Sequence, residues 1–193
     1  MSAYAEVWAA ALPYMRARKN DVHVPLSFGY ASRLVEAHPD ADADVVLLGI
    51  LLHDIGWAVV DQEAIYRDAF GPRMMESDVR IAHEKEGARL ARGILSSLGY
   101  ADALVDEVVA IIDGHDTRRD ALSLNDKLVK DADRLWRFCV TGVALASEWW
   151  SLTPAEYAAR LEEQLPLFFT GAAAAIARDE LAVSRVALRV DVL

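Results

Sequence analysis

Residues 45–56 read Val45-Val46-Leu47-Leu48-Gly49-Ile50-Leu51-Leu52-His53-Asp54-Ile55-Gly56. Eight consecutive apolar or glycine residues run straight into an adjacent histidine and aspartate. The run is well short of the roughly 20 residues a membrane-spanning helix needs, and it suits a helix buried in a globular core. It ends in two side chains that are costly to bury unless something binds them. A metal ion would do so, which requires further ligands elsewhere in the chain.

Outward from this stretch the sequence reads as helix after helix. A good N-cap at Asp42 or Asp44 starts the helix that carries it. Upstream, apolar residues recur at helical intervals over 3–18, interrupted by Pro13. Asn20-Asp21 are read as a stop and a new N-cap, with Pro25 in the first turn of a helix running to about His38. Downstream, 57–76 is the least periodic part, read as a loop with a short helix around 61–70 and a breaker at Gly71-Pro72. A long helix is expected from Ser77 or Asp78 to Leu98, closed by Gly99, and another from Asp102 to Gly114. Leu124–Trp150 is helical with a break near Thr141-Gly142. Thr153-Pro154-Ala155-Glu156 is a capping box with proline at the first helical position. Helices over 154–164, 166–177 and 179–190 complete the chain. The expected fold class is all-α: one helical domain over 1–193, its motif-bearing core at about 20–140 and helices from 150 to 193 packed on it.

Composition limits what such a domain does. The chain has 193 residues, 54% hydrophobic and 26% charged, ample for a core. A net charge of −10 argues against non-specific nucleic-acid binding but leaves room for an anionic substrate held by local arginines and a metal. A single cysteine, Cys139, excludes an internal disulfide. With neither a signal peptide nor a membrane span in the sequence, a cytoplasmic protein is expected. Trp149-Trp150 is a candidate homodimer surface, with packing of the C-terminal helices onto the core as the plainer reading.

The histidines then fall on the faces that should point inward. His23 shares a helical face with Ser27, Tyr30 or Ala31, and Leu34, and His53 with Val46 and Ile50. His83 continues Gly87, Leu90 and Ile94. His115 continues Leu104, Val108 and Ile111, and Asp133 lies between Val129 and Trp136. A lone inward histidine is usually a hydrogen-bonded core residue. Four of them with two aspartates, from different helices, are hard to bury together unless a cation neutralises the carboxylates. His38, at a helix end before Pro39, is the exception and reads as a surface residue. Nitrogen and carboxylate donors without cysteine favour a divalent transition metal ion, iron, manganese, cobalt, nickel or zinc, over magnesium or a closed structural zinc.

These motifs resemble the HD-domain superfamily of metal-dependent phosphohydrolases. The match is His23, then "LLHDIG" with His53-Asp54, then "LVKDADRL" with Asp133, over residues 20–140. The resemblance implies that His23, His53, Asp54 and Asp133 ligate one metal, with Asp131 the competitor for the last place. Asp133 is preferred because it lies one turn after Val129. "AHEKEGARLA" (His83) and "IIDGHDT" (His115) look like the extra histidines of two-metal members, in which Asp54 would bridge. No Gly-Tyr-Pro follows the His-Asp pair, and Ile-Gly-Trp stands where the (p)ppGpp hydrolase branch has Glu-Asp, so neither specific substrate carries over.

The function implied is hydrolysis of a phosphate ester or anhydride of a small metabolite or nucleotide. Lys130, Arg134, Arg118 and Arg119 are the candidate cations for the phosphoryl group. Glu84 and Asp116, each next to a candidate ligand, are candidates for proton transfer or for supporting the ligands. Two other readings use the same residues: a di-iron oxygenase, and a non-catalytic signalling or binding module.

Overall fold

A computed structural model of the protein describes residues 4–68 and 77–189. Its helices are α1 (Ala5–Ala11), α2 (Asn20–Ala37), α3 (Ala43–Leu52), α4 (Gln62–Asp68), α5 (Asp78–Ser97), α6 (Asp102–Ile112), α7 (Leu124–Leu135), α8 (Val140–Trp149), α9 (Pro154–Gln164) and α10 (Gly171–Ala187). No strand occurs among the described residues. The fold is all-α. The expected breaker at Gly71-Pro72 lies outside the described residues.

Helix α3 is the centre of the bundle. Asp42 caps it, its carboxylate accepting from the Asp44 and Val45 N–H groups, and every residue from Val45 to Leu52 is buried. A helix apolar on all sides needs neighbours on all sides, and α3 packs against α2, α6 and α7. One apolar cluster runs from Val7 in α1 to Leu181 in α10. The C-terminal helices therefore share the core of the helices that carry the motifs.

Two glycines matter for close approach. A Cβ on Gly56 would lie 1.9 Å from the His83 carbonyl oxygen and 2.5 Å from the Gly87 nitrogen. Opposite it, a Cβ on Gly87 would meet the His53 carbonyl at 3.2 Å. The glycines let the turn after α3 lie directly on α5, which sets His53-Asp54 beside His83. Gly87 is thus a backbone-packing residue.

The structure corrects several boundaries. Asn20 is not an N-cap: it is the first residue of α2, its side chain is buried, and Lys19 precedes it in the left-handed region at φ 62°. Pro25 consequently sits in the second turn of α2. The break expected at Thr141-Gly142 falls earlier, in a turn over Trp136–Phe138 followed by extended Cys139. Gly142 is inside α8, where a Cβ would lie 1.8 Å from the Trp136 carbonyl oxygen. The glycine marks the packing of α8 on that turn, not the break itself. Where two helices were expected over 166–177 and 179–190, the described residues hold one, α10 (Gly171–Ala187), preceded by a short turn at Leu165–Leu167. The Ser77 cap, the left-handed Gly99 and the Thr153–Glu156 capping box are as expected.

Candidate metal centre

The pair at the end of α3 is held from both sides. His53 Nδ1 donates to the Ile50 carbonyl at 2.7 Å, and His115 Nδ1 donates to the Ile112 carbonyl at 2.9 Å. A carbonyl oxygen can only accept, so in the neutral rings Nε2 carries the free lone pair. This is how a metal-binding histidine is fixed in tautomer and direction. Each contact is made to the residue three positions earlier, so the end of the helix aims its own imidazole.

The free nitrogens meet around two carboxylates. His23 Nε2 lies 2.9 Å and His53 Nε2 3.4 Å from Asp133 Oδ1. Asp54 Oδ1 is 3.7 Å from His53 Nε2, 3.6 Å from His83 Nε2 and 3.4 Å from His115 Nε2. Asp54 Oδ2 faces His23 Nδ1 at 3.5 Å. His83 and His115 bring their Nε2 atoms to 3.4 Å. Asp54 therefore presents one oxygen to His23 and the other to the His83–His115 pair. His23, His53 and Asp133 offer donor atoms within 4.8 Å of one another, as do His53, Asp54 and His115, and His83, His115 and Asp116.

The fit to a cation rests on atoms left over. His23 Nε2, His53 Nε2 and Asp133 Oδ1 are buried and complete no hydrogen bond, although they crowd together. Orphaned acceptors are costly unless a cation satisfies them, so this donor set suits a divalent transition metal. The electrostatics agree. Burial by itself would raise the Asp54 carboxyl, but the surrounding His53, His115 and His83 hold it well below the carboxylate range. Asp133 is likewise held down against burial, by the Arg137 charge and by the His23 and His53 imidazoles beside it. Burial lowers His23 and His83 and so favours their neutral, ligating form. In His115 burial is outweighed by the hydrogen bond and charge of nearby carboxylates, which raise it to about 9.

The structure thus gathers all six expected ligands: His23, His53, Asp54, His83, His115 and Asp133. Asp131, the competitor, points elsewhere: its carboxylate accepts from the Phe169 and Thr170 N–H groups and the Thr170 hydroxyl, anchoring the start of α10. His38 bonds the Leu34 carbonyl at the end of α2.

Several expected helpers have other duties. Lys130 Nζ donates to the carbonyls of Gly114, His115 and Arg118, so it is a strut under the His115 loop and not a free cation. Glu84 accepts from the Asp116 and Thr117 N–H groups and the Thr117 hydroxyl, which clamps the same loop and occupies both of its oxygens. Arg118 is tied to the carbonyls of Ala110 and Asp113 and to Asp126. Asp116 is gripped by Arg80 at 3.0–3.1 Å.

Residues that sequence reading missed complete the surroundings. Trp57 Nε1 donates to Asp54 Oδ1 at 3.0 Å while its ring stacks on His83 at 3.8 Å. Asn20 Nδ2 donates to the Asp54 backbone carbonyl at 3.0 Å. Arg18 lies over Trp57 at 4.2 Å, and Arg137 is 3.9 Å from Asp133 Oδ2. Only Arg137 had a signal, its spacing of four from Asp133. A cavity of about 20 Å³ opens here, lined by Arg18, His23, Asp54, His115, Asp133 and Arg137 among others. Its His115, Asp133 and Arg137 also line a cleft of about 920 Å³ whose walls include Arg118, Arg119 and Arg134.

Comparison with known proteins follows the same lines. The HD domain family model matches residues 23–137. A crystal structure of a predicted HD superfamily hydrolase from an uncultured Thermotogales bacterium superposes with a TM-score of 0.63 at 21% identity, covering 95% of this chain and 88% of that one. None of the curated proteins matches the chain. The family match takes in all six gathered ligands, from its first residue, His23, to Asp133, with His83 on α5 and His115 in the turn after α6, and the chain belongs to the HD domain family.

Proposed function

We propose that the protein is a metal-dependent phosphohydrolase that cleaves a phosphate ester or anhydride of a small anionic metabolite or nucleotide. One observation carries this reading: six buried histidine and aspartate side chains converge, with orphaned donor atoms, at the floor of an arginine-lined cleft. His23, His53, Asp54 and Asp133 would hold one ion, and His83 and His115 with Asp54 a second. Such an ion, when bound, lowers the pKa of water and polarises a phosphoryl oxygen.

The chain's own groups do the rest. Asp54 faces both halves of the centre and is steadied through Trp57 and Asn20. Arg137, beside Asp133 at the cavity, supplies positive charge where a phosphoryl group would accumulate negative charge. Lys130, Glu84 and Arg80 keep the 114–118 loop, and with it His115, in place. Trp57, Trp136 and Trp149 wall the cavity and limit access of bulk water.

The test is phosphate release from p-nitrophenyl phosphate and a nucleotide panel by protein loaded in turn with manganese, cobalt, iron, nickel and zinc. Metal-dependent release that is lost in His53→Ala supports the hydrolase. Iron-loaded protein that consumes oxygen and releases no phosphate would replace it with the oxygenase. Protein that binds no metal and is indifferent to His53→Ala would leave a binding module.

A further inference from the structure

The large cleft is out of character with the rest of the molecule. The chain carries a net charge of −10, yet eight arginine and lysine side chains line this cleft against two carboxylates, Asp116 and Asp133. Both of those face the metal centre or Arg80. Three of the cations, Arg119, Arg134 and Arg160, have no carboxylate in ion-pair range among the described residues. Gathering uncompensated guanidinium groups in a concave wall is unfavourable unless an anion joins them.

Their setting is built for it. Arg160 lies flat over Trp150, 4.0 Å from the ring centre. Arg134 lies against Phe168 and donates to the Leu167 carbonyl. Stacked or tethered guanidinium groups are pre-oriented, so less freedom is lost when they bind an anion, and their planar fork suits a phosphate or carboxylate. The cleft's volume, about 920 Å³, is that of a complete small-molecule site and far exceeds what one phosphoryl group at the metal would fill. Its far wall comes from α8, α9 and the turn before α10. Those elements follow the family-matched segment, which ends at residue 137.

We infer that the substrate carries a second anionic group, held at the outer end of the cleft by Arg160 with Arg119 and Arg134, while its first occupies the metal centre. The C-terminal helices are then the specificity element: they set the distance between the two anions and offer Trp150 and Tyr157 to the body between them. The inference rests on the hydrolase reading for the end of the substrate at the metal, and on the cleft alone for the other end. For a single exposed arginine a solvated surface role is the plain reading, but the imbalance of charge within one cleft is not explained by it.

Hexanediol bisphosphate and hexanediol monophosphate, titrated calorimetrically into metal-loaded full-length protein, test the second subsite. The bisphosphate binds about tenfold tighter or more, as expected of an added charge-assisted contact. Arg160→Met, which keeps the stem against Trp150, removes most of that preference. Arg160→Lys retains much of it, and Arg178→Met on α10, away from the cleft, retains all of it. Equal affinities, no binding of either compound, or a preference that survives Arg160→Met would overturn the inference. Phosphate release is read in the same samples: its absence from both compounds, with the binding preference intact, would count against the hydrolase reading and leave the subsite standing.

Discussion

His23 Nε2 and Asp133 Oδ1 stand 2.9 Å apart, both buried, and neither completes a hydrogen bond. One comes from α2 and the other from α7, so the two helices are packed with unsatisfied acceptors between them. A divalent ion bound there acts as a tie. At a concentration of manganese or cobalt about a hundred times its Kd, folding is stabilised by about 2.7 kcal/mol. For a chain of this length that is a rise in Tm of roughly 5–10 °C. Thermal unfolding with metal and with chelator reads the difference directly, and coincident curves would contradict it.

Asn20 holds the backbone on which the Asp54 carboxylate sits. Asn20→Ala removes one of two donors to the buried Asp54 carbonyl, which keeps the Trp57 N–H at 3.2 Å, and costs about 0.5–1.5 kcal/mol. Loss of a group that orients ligands typically lowers metal affinity about 10–100-fold. Asn20→Asp sets an acceptor against that carbonyl and is the more damaging of the two. Denaturant unfolding together with metal titration separates the effects, and an Asn20→Ala protein with native metal affinity would exclude the positioning role.

Metal affinity should rise with pH through the neutral range. His115 is raised from 6.5 to about 9, burial being outweighed by its carboxylate neighbours. In the metal-free protein, protonation of His115 gives stability that is complete below pH 6.5 and lost as pH rises through about 9. A metal at the same nitrogen must displace that proton. The chelated protein therefore loses Tm between pH 6.5 and 9, while the gap between chelated and loaded protein widens. A gap that narrows over this window would show that His115 is not displaced.

Gly56→Ala places a methyl group against the backbone of α5, where neither partner can give way. Overpacking of this kind costs about 1–3 kcal/mol or more. Because the same contact sets His53-Asp54 beside His83, second-ion binding is lost with it. The metal stoichiometry of any folded Gly56→Ala protein, compared with wild type, measures this coupling.

Much of the centre was legible because five of the six ligands continue an apolar helical stripe, a pattern that the sequence displays without any tertiary information. His23, His53, His83, His115 and Asp133 all follow it. The supporting groups obey no such rule. Asn20 resembles a helix cap in sequence, and only the packing of the 55–58 turn gives its amide a buried carbonyl to bind. Arg18 reaches Trp57 from left-handed backbone at φ 48°, which nothing in its neighbours announces. Lys130 and Glu84 lie next to ligands or to the site in sequence, but their partners are loop carbonyls and amides whose position depends on the 114–118 turn. Gly142 looked like a helix breaker because close approach and chain reversal both call for glycine.

The central claim is that the converging histidines and aspartates form a metal centre with room for two ions. Metal analysis of purified protein, wild type beside His83→Ala and His53→Ala, tests it most directly. About two ions per chain are expected in the wild type, one fewer in His83→Ala, and little or none in His53→Ala. A wild type that holds no ion after incubation with iron, manganese, cobalt, nickel or zinc would contradict it, as would a stoichiometry unchanged by either substitution.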